Sequence, residues 1–193
     1  MSGASGSWPT LETARLRLRR FRADDLARFM AYRNDPDVAR YQSWESISLA
    51  EAQAFIQAER DARLGSPGVG VQIAIELLAT GELIGDCYFR IEADDPRQAE
   101  IGYTLATSAQ GQGLATEAVS AWLTYAFGAF ALHRITATVD CQNLRSVALL
   151  ERLGMRREGH FLQNIWFKGA WGDEYLYAML REEWLTRRNE PAP

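Results

Sequence analysis

The sequence contains little cysteine, because only Cys87 and Cys141 occur among its 193 residues. The two lie far apart in apolar, strand-like runs, and neither belongs to a CxxC or mixed Cys/His ligand spacing. This scarcity argues against a domain held together by disulfides or by a zinc cluster. We therefore expect two buried thiols and no metal.

Positive charge is also in short supply. Lysine and arginine together number 21 against 25 aspartates and glutamates, which gives a net charge of −4. Such a chain has no global positive field to hold nucleic acid. No apolar run approaches the roughly 18 residues of a membrane span, and the small, polar start MSGASGSWPT is unlike a signal peptide. These absences predict a cytoplasmic protein with no nucleic-acid partner and no membrane partner.

What the sequence does have is the composition of an ordinary globular protein. Hydrophobic residues make up 47% of the chain and charged residues 24%. A chain of this length buries about 70% of its unfolded surface, which is enough for a stable core without disulfide bonds or a structural metal ion. The ends are rich in Gly, Ser and Pro, so we predict one domain over residues 9–186 between flexible tails over residues 1–8 and 187–193.

The spacing of apolar residues predicts alternating strands and helices. Leu16 and Leu18 alternate with Arg15, Arg17 and Arg19, the pattern of a half-buried strand whose other face is solvated and basic. The further elements predicted along the chain are a helix from Asp24 to Arg33, a second helix capped by Ser48 and Glu51, strands over residues 71–78 and 83–92, a strand over 99–106, a long helix over 114–130, a strand over 134–140, a helix over 143–153, and a closing hairpin over 156–168 and 174–180. This order, βααβββαβαββ, predicts an α/β fold (α+β by some schemes) with a mixed, mostly antiparallel central sheet flanked by helices. The long helix makes one parallel crossover between the strands on either side of it.

A glycine-rich turn leads from strand 99–106 into the long helix, at the end of the strand where such sheets bind ligands. Its residues are Gln110, Gly111, Gln112, Gly113, Leu114, Ala115 and Thr116. Backbone N–H groups at a helix start lack partners, the helix dipole adds positive charge, and glycine lets an anion approach the backbone closely. The turn lacks the Gly-Lys-Ser/Thr of a nucleoside triphosphate loop and the GxGxxG of a dinucleotide fold, which disfavours those ligands. Taken alone, these residues fit a phosphate cradle and a plain tight turn equally well.

The residues around the turn separate these two interpretations. The pattern Gln110-x-x-Gly113-x-Ala115 is followed by an apolar helix, a strand and then Asn143-x-x-Ser146. This succession resembles the GCN5-related N-acetyltransferase (GNAT) superfamily. The resemblance implies a GNAT-like sheet, with a splayed parallel strand pair at the cofactor site.

Three further segments are similar to the RimJ/RimL branch of that superfamily. They are Leu11-Glu12-Thr13-x-Arg15-Leu16-x-Leu18-Arg19 near the start, Glu100-Ile101-Gly102-Tyr103, and His133-Arg134-Ile135. Members of this branch acetylate the N-termini of ribosomal proteins and various small amines. The resemblance covers roughly residues 9–183.

The resemblance implies that acetyl-coenzyme A (acetyl-CoA) is the cosubstrate and that no metal takes part. Its pyrophosphate would lie on the N–H groups of Gly111 to Thr116. Its pantetheine arm would pair with the backbone of Leu105 like an added strand, and Asn143 and Ser146 would contact it. A backbone N–H of the same strand would polarise the thioester carbonyl and stabilise the oxyanion. Asn143 serves equally well as a helix N-cap.

Two residues are candidates for proton transfer. Ser146 is the candidate acid for the departing thiolate, because the position where many superfamily members carry a tyrosine holds Leu150. Glu100 is the candidate base, acting directly or through a water, because Ile165 stands where RimL-like proteins place a glutamate. Each candidate also has a plain structural interpretation, Ser146 as a polar residue in the first turn of a helix and Glu100 as the polar side of an alternating strand.

Aromatic residues in two connections near the acetyl end are candidates for the acceptor site. Tyr41 and Trp44 lie between the first two helices, and Trp166 and Trp171 lie in the closing hairpin. Such rings stack on a cationic amine or, equally, pack into a core. Asp173 matches a recurrent position of the branch and also suits a hairpin turn.

These residues predict direct acetyl transfer to a primary amine in a ternary complex. An N-terminal α-amine has a pKa of about 7.7 to 8 and lysine one near 10.4, so deprotonating the α-amine costs about 3.5 kcal/mol less. Without the glutamate of the RimL-like proteins, a protein or peptide N-terminus, such as that of a ribosomal protein, is the favoured acceptor. The alternatives are a small-molecule amine acetyltransferase, acting on an aminoglycoside or a polyamine, and a non-catalytic CoA-binding regulatory protein. An edge strand or the final hairpin leaves a homodimer open.

Overall fold

The computed structural model describes residues 8–189, which form an eight-stranded sheet with helices on both of its faces. The strands are β1 (Leu11–Glu12), β2 (Leu16–Arg19), β3 (Gly70–Leu77), β4 (Glu82–Ile91), β5 (Gln98–Leu105), β6 (Arg134–Asp140), β7 (Arg156–Phe167) and β8 (Ala170–Leu180). The helices are α1 (Leu26–Arg33), α2 (Pro36–Ala39), α3 (Leu49–Asp61), α4 (Leu114–Ala129), α5 (Leu144–Arg152) and α6 (Arg181–Asn189). The strand order is β1-β2-β3-β4-β5-β6-β8-β7, in which β5 and β6 are parallel and the other neighbouring pairs are antiparallel. The predicted α/β fold, with a mostly antiparallel sheet and a parallel crossover, is confirmed.

Local signals explain several of these boundaries. Helix α3 begins after Ser48, whose hydroxyl accepts from the Glu51 N–H while the Glu51 carboxylate accepts from the Ser48 N–H. Helix α5 begins after Asn143, whose side-chain oxygen accepts from the Ser146 N–H. Strands β7 and β8 are joined through Lys168 and Gly169, both in the left-handed region, as a two-residue hairpin requires.

The parallel strand pair is short, and its shortness creates an opening in the sheet. β5 and β6 are in register only from Gln98 opposite Arg134 to Glu100 opposite Thr136. Beyond that point β5 stays paired with β4 and β6 with β8, so the two strands separate and leave a wedge between them. On the other side of β5, the strand approaches β4 so closely that a Cβ on Gly85 would collide with a β5 carbonyl. The splayed parallel pair implied by the resemblance is present.

Each face of the sheet has its own core. On one face, α4 packs Trp122, Leu123 and Phe127 against apolar residues of the central strands. On the other face, α1 and α3 contribute Phe29 and Ile56 to a smaller cluster. Burial on both faces fixes the register of the strands, because a slip of one residue would exchange the side chains of the two cores.

The second core overturns one expectation for β2. The predicted solvated basic face is wrong at Arg19, which is 3% exposed. Its guanidinium donates to both carboxylate oxygens of Asp25 at 2.7 Å and to Glu76 at 2.6 Å. Burial alone would raise the pKa of Glu76, but the hydrogen bond and charge of Arg19 hold it below its ordinary value. The alternating arginines do not reveal this network, because both carboxylates come from other elements.

The two cysteines differ in burial. Cys87 on β4 is buried, as predicted. Cys141 is only half-buried, so the expectation of a buried thiol inside a strand is wrong there. The reason is that β6 ends at Asp140 and the chain turns toward α5.

The described residues extend slightly past the predicted domain at both ends, and the extent of the domain stays a prediction. Trp8, assigned to the N-terminal tail, donates its indole N–H to the Ala62 carbonyl at 3.1 Å. Helix α6 continues to Asn189, into the segment predicted as the C-terminal tail. The tail predictions for residues 1–7 and 190–193 lie outside the described residues. No helix in the described part of the chain has the length and hydrophobicity to cross a bilayer.

Removing the charge of Glu76 tests the buried network. Glu76→Gln leaves the buried Arg19 guanidinium without its full countercharge, so we expect the free energy of unfolding to fall by about 3–5 kcal/mol. The folded-state pKa of Glu76 lies below its ordinary value of 4.5, so this stabilisation is present above pH 4.5 and is lost as the pH falls through the folded-state value. Urea unfolding should therefore show that the difference in free energy of unfolding between wild type and variant is smaller at acidic pH than at neutral pH.

Glu82→Gln is the matched control. Glu82 is 43% exposed and pairs with Arg28 at the surface. Surface pairs contribute about 0–1 kcal/mol, so this variant should unfold nearly like the wild type. Equal losses in the two variants would contradict a special role for the buried network.

Candidate active site

The wedge opens into a cleft of about 780 Å³ on the α4 side of the sheet. The cleft is bounded by the end of β5, the glycine-rich turn, the first turns of α4 and α5, and the connection that contains α2. The Ala106 N–H bonds the Ile84 carbonyl of β4 at 2.8 Å. Because hydrogen-bonded and non-hydrogen-bonded pairs alternate, the backbone N–H and C=O groups of Leu105 and Tyr103 point away from β4 and into the wedge. Apart from the Leu105 carbonyl, which accepts from Gln110 Nε2 at 3.0 Å, this strand edge is therefore available to an extended ligand.

Two glycines shape the turn at the start of α4. Gly111 and Gly113 have φ angles of 75° and 76°, in the left-handed region that favours glycine. Conformation rather than space is the constraint at Gly111, because a Cβ there would meet nothing within 4 Å. Gly113 is the N-cap of α4, and none of the described side chains caps the helix. The first helical bond joins the Glu117 N–H to the Gly113 carbonyl at 3.1 Å, so the preceding N–H groups are available to an anion.

Glu117 fastens the turn to the beginning of the sheet. Its carboxylate accepts from the Thr13 hydroxyl at 2.6 Å, from Arg15 Nε at 2.7 Å and from the Arg15 N–H at 3.0 Å. Arg15 also donates to the Gln112 carbonyl at 3.0 Å. Burial would raise the pKa of Glu117, but these bonds lower it below its ordinary value. Sequence reasoning missed this anchoring role, although Thr13 and Arg15 both lie in a segment that resembles the family.

Two glutamines hold the turn against neighbouring elements. Gln110 donates from Nε2 to the Leu105 carbonyl at 3.0 Å and accepts at Oε1 from Arg145 at 2.9 Å. Gln112 donates to the Ser108 carbonyl at 2.8 Å. The turn is thus held beside the strand edge that faces the wedge.

The first turn of α5 forms the opposite wall of the cleft. Asn143 caps this helix, and its side-chain oxygen accepts from the Ser146 N–H at 3.2 Å. Ser146 lines the cleft, and its carbonyl accepts from the Tyr103 hydroxyl at 3.2 Å. Leu150 is buried in the main core. The structure therefore brings Asn143 and Ser146 together with the turn, and it adds Tyr103, to which sequence reasoning gave no role.

The cleft carries local positive charge on a chain that is negative overall. Arg145 and Arg152 of α5 are both exposed, and both line the cleft. Arg152 donates to the Thr116 hydroxyl, in the first turn of α4, at 3.3 Å. Guanidinium groups beside a helix N-terminus suit an anion such as phosphate. The described residues contain no cluster of three or more His, Cys, Asp or Glu that could hold a metal ion.

Glu100 occupies the apex of the wedge, where the parallel pairing ends. Its side chain lies on the opposite face of the sheet from Tyr103, because successive residues of a strand alternate. Arg90 donates to its Oε2 at 3.0 Å. Burial raises the pKa of Glu100, and the Arg90 charge opposes that rise. An amine that used Glu100 as a base would have to reach the apex from that face.

The loop aromatics proposed for the acceptor lie in different places. Tyr41 lines the cleft and donates its hydroxyl to the Gln142 carbonyl at 3.3 Å. Trp44 does not line the cleft. Its ring centroid lies 3.7 Å from the Arg33 guanidinium carbon, and its N–H donates to the Arg33 carbonyl. Trp44 therefore packs on a buried arginine, whereas Tyr41 remains beside the cofactor wall.

The tip of the β7–β8 hairpin carries the other two aromatics. Trp166 and Trp171 pack edge to face with centroids 5.5 Å apart, and they are 61% and 57% exposed. Lys168 at the tip donates from Nζ to the Ala39 carbonyl at 2.6 Å and to the Trp44 carbonyl at 3.0 Å. The aromatic tip is thereby fastened to the connection that lines the cleft.

Asp173 stabilises an irregular stretch of the same hairpin. Its Oδ1 accepts from the Gln163 N–H at 2.8 Å, and Gln163 has a φ of 48° where the register of β7 shifts. Its other oxygen lies 3.9 Å from His160 Nε2. These contacts explain Asp173 as a hairpin residue, and its contact with an acceptor stays a prediction.

Comparison with known proteins identifies the class to which this cleft belongs. The family model described as the acetyltransferase (GNAT) domain matches residues 15–156. The uncharacterized N-acetyltransferase p20 of Bacillus licheniformis is 33% identical over 176 residues, which are 91% of this chain and 98% of that protein. The protein is accordingly an acetyltransferase enzyme. More particularly, the chain belongs to the GNAT family of N-acetyltransferases, which confirms the resemblance inferred from the sequence.

Two further proteins bear on the branch and on the cosubstrate. The ribosomal protein uS5-alanine N-acetyltransferase of Escherichia coli (strain K12) is 35% identical over 88 residues, 46% of this chain and 45% of that enzyme. The solved structure of RimL, a ribosomal L7/L12 alpha-N-protein acetyltransferase in complex with coenzyme A, matches with a TM-score of 0.79 and 22% identity over 91% of this chain and 99% of that one. The similarity to the RimJ/RimL branch is confirmed. The cradle at the start of α4 and the arginines of α5 suit a ligand such as coenzyme A.

We expect Gly113→Glu to abolish acetyl-CoA binding. The new side chain would start 3.6 Å from Arg15 Nη2 and would put a carboxylate at the start of α4 beside the anion, where like charges in contact cost several kcal/mol, equivalent to about a hundredfold or more in affinity. The left-handed φ of 76° adds about 1–2 kcal/mol of strain, which the folded protein should survive. Isothermal titration of wild type and variant with acetyl-CoA measures the difference.

Gly128→Glu is the control, because it puts the same side chain at the other end of α4. Gly128 is exposed, and a Cβ there meets nothing within 4 Å. This variant should bind acetyl-CoA like the wild type. Unchanged binding by a folded Gly113→Glu would mean that the turn is not the phosphate cradle.

Proposed function

We propose that this enzyme acetylates the N-terminal α-amine of a protein or peptide, such as a ribosomal protein, by direct transfer from acetyl-CoA. The observation that carries the proposal is the state of Glu100, whose carboxylate at the apex of the wedge is bound by Arg90 at 3.0 Å. Burial raises the pKa of this carboxyl, but Glu100 does not line the cleft and is paired with Arg90, so it is poorly placed to take a proton from an amine there. An α-amine, with a pKa of about 7.7–8.0, is already partly neutral near pH 7.5 and needs little help, whereas lysine at about 10.4 needs much more.

The cleft offers groups that would hold the acetyl donor. The N–H groups of Gly111 to Thr116 would hold the pyrophosphate, and Arg145 and Arg152 would add charge beside it. The pantetheine arm would pair with the edge of β5 at Leu105. A backbone N–H of that edge would polarise the thioester carbonyl toward attack by the amine.

The surroundings of the cleft favour a polypeptide acceptor. Trp166 and Trp171 are exposed at a hairpin tip that Lys168 fastens to the wall of the cleft. Exposed aromatic rings beside an active site suit the docking of a chain, while small ligands are usually enclosed. The name of the Escherichia coli relative, which specifies an alanine of a ribosomal protein, supports the same class of acceptor.

A panel of amines tests this proposal. Peptides with a free N-terminus and no lysine should release the thiol of coenzyme A at least about a hundredfold faster at pH 7.5 than N-terminally blocked peptides with one lysine. Turnover of the free N-terminus should rise with pH and level off above its pKa of about 8, as the amine becomes neutral. Mass spectrometry of the products should place the acetyl group on the α-nitrogen.

A polyamine, an aminoglycoside and the Gly113→Glu variant complete the panel. The variant should give no product with any amine, which ties thiol release to the cleft. Equal or faster turnover of internal lysines, or of the small amines, would refute the proposed acceptor. Binding of acetyl-CoA without turnover of any amine would instead favour the regulatory alternative.

A further inference from the structure

Amide formation releases one proton from the amine, and the departing coenzyme A thiolate needs one. When a neutral amine attacks the thioester, the nitrogen loses a proton and the thiolate of coenzyme A must gain one. Leu150 has no proton to give and is buried in the core. Ser146 lines the cleft, and its hydroxyl is one candidate donor. A phenol on the same wall is a second candidate.

Tyr103 places a phenol there. It lies on β5 three residues beyond Glu100, where the strands have already separated, and its side chain lines the cleft. Its hydroxyl crosses the wedge to the first turn of α5, where it donates to the Ser146 carbonyl at 3.2 Å. The hydroxyl thus lies beside the strand edge along which the acetyl donor would run.

The setting of Tyr103 suits a neutral hydrogen-bond donor. Burial raises the pKa of Tyr103 above its ordinary value, so the phenol stays neutral as a hydrogen-bond donor and can pass its proton on only if it regains one in the same step. Tyr103 is also held by a central strand paired with β4 at Cys87, and a rigid element positions a group more accurately than a loop does. Tyr41, which also lines the cleft, belongs to a connection and bonds the Gln142 carbonyl.

We propose that Tyr103 is the group that donates its hydroxyl proton to the sulfur of coenzyme A as the thioester breaks. The amine lone pair forms the C–N bond, and the C–S electron pair leaves on sulfur. As the phenolic proton moves to sulfur, the phenol oxygen takes the proton of the nitrogen in the same step, so no phenolate is left in the buried site. The products are the amide and free coenzyme A thiol, with no net change in protons. This role rests on the proposed function, because it needs coenzyme A in the cleft.

The test compares coenzyme A with desulfo-coenzyme A, which lacks the thiol. Isothermal titration gives the ratio of their dissociation constants across the pH range in which the thiol ionises. A hydrogen bond from Tyr103 to the thiolate is stronger than one to the neutral thiol. The dissociation constant of desulfo-coenzyme A divided by that of coenzyme A should therefore rise with pH in the wild type. In Tyr103→Phe the rise of this ratio with pH should be about tenfold smaller. The affinity for coenzyme A at low pH and the affinity for acetyl-CoA should stay close to those of the wild type.

Tyr125→Phe is the matched control. Tyr125 lies on α4, packed against Trp122 with centroids 5.3 Å apart, and it does not line the cleft. Its variant should reproduce the wild-type ratio at every pH. Ser146→Ala, tested in parallel, should keep most of the rise, because the Ser146 carbonyl that orients Tyr103 remains.

The outcomes separate this role from the proposed function. A wild-type ratio that does not change with pH overturns the role of Tyr103 without any variant. If the ratio rises with pH in folded Tyr103→Phe as it does in the wild type, the role of Tyr103 is overturned as well. If the rise is lost only in Ser146→Ala, Ser146 is the proton donor instead. If the wild type binds neither acetyl-CoA nor coenzyme A, the proposed function fails and the role of Tyr103 falls with it.

Discussion

The brevity of the pairing between β5 and β6 is the constraint on which the rest of the structure depends. Buried backbone N–H and C=O groups need partners, yet after Glu100 these two strands turn theirs toward an opening. Full antiparallel pairing of β5 with β4 and of β6 with β8 keeps that opening in place. The cleft is therefore a permanent gap in a hydrogen-bond ladder, which an extended ligand with its own donors and acceptors can fill.

The features that neighbouring residues determine could be predicted from the sequence. The capping pair of Ser48 and Glu51, the apolar stripe of α4 and the glycines before that helix all depend on contacts within a few positions along the chain. The parallel crossover follows from the helix between its two strands. For the same reason the sequence of the turn from Gln110 to Thr116 predicts an anion cradle without knowledge of the tertiary fold.

The features that distant residues create could not be predicted in this way. Arg19 has the sequence context of an exposed strand arginine, and it is a buried ion-pair partner because Asp25, after β2, and Glu76 of β3 both pack against it. Trp44 has the sequence context of a loop aromatic, but its ring packs against the guanidinium of Arg33. Tyr103 stands in an ordinary strand pattern, and it faces a cleft only because β5 and β6 separate beside it. Each of these assignments needs tertiary contacts that no local pattern contains.

Lys168, which fastens the hairpin tip to the wall of the cleft, is the only lysine in the chain, so the other 20 of its 21 basic residues are arginines. A guanidinium stays protonated and is not a nucleophile toward a thioester, whereas a free ε-amine is. The protein therefore carries its positive charge almost entirely in a form that its own reaction cannot neutralise. The one ε-ammonium is occupied by two backbone carbonyls. An enzyme that handles activated acetyl groups is in this way chemically inert toward them over nearly all of its basic surface.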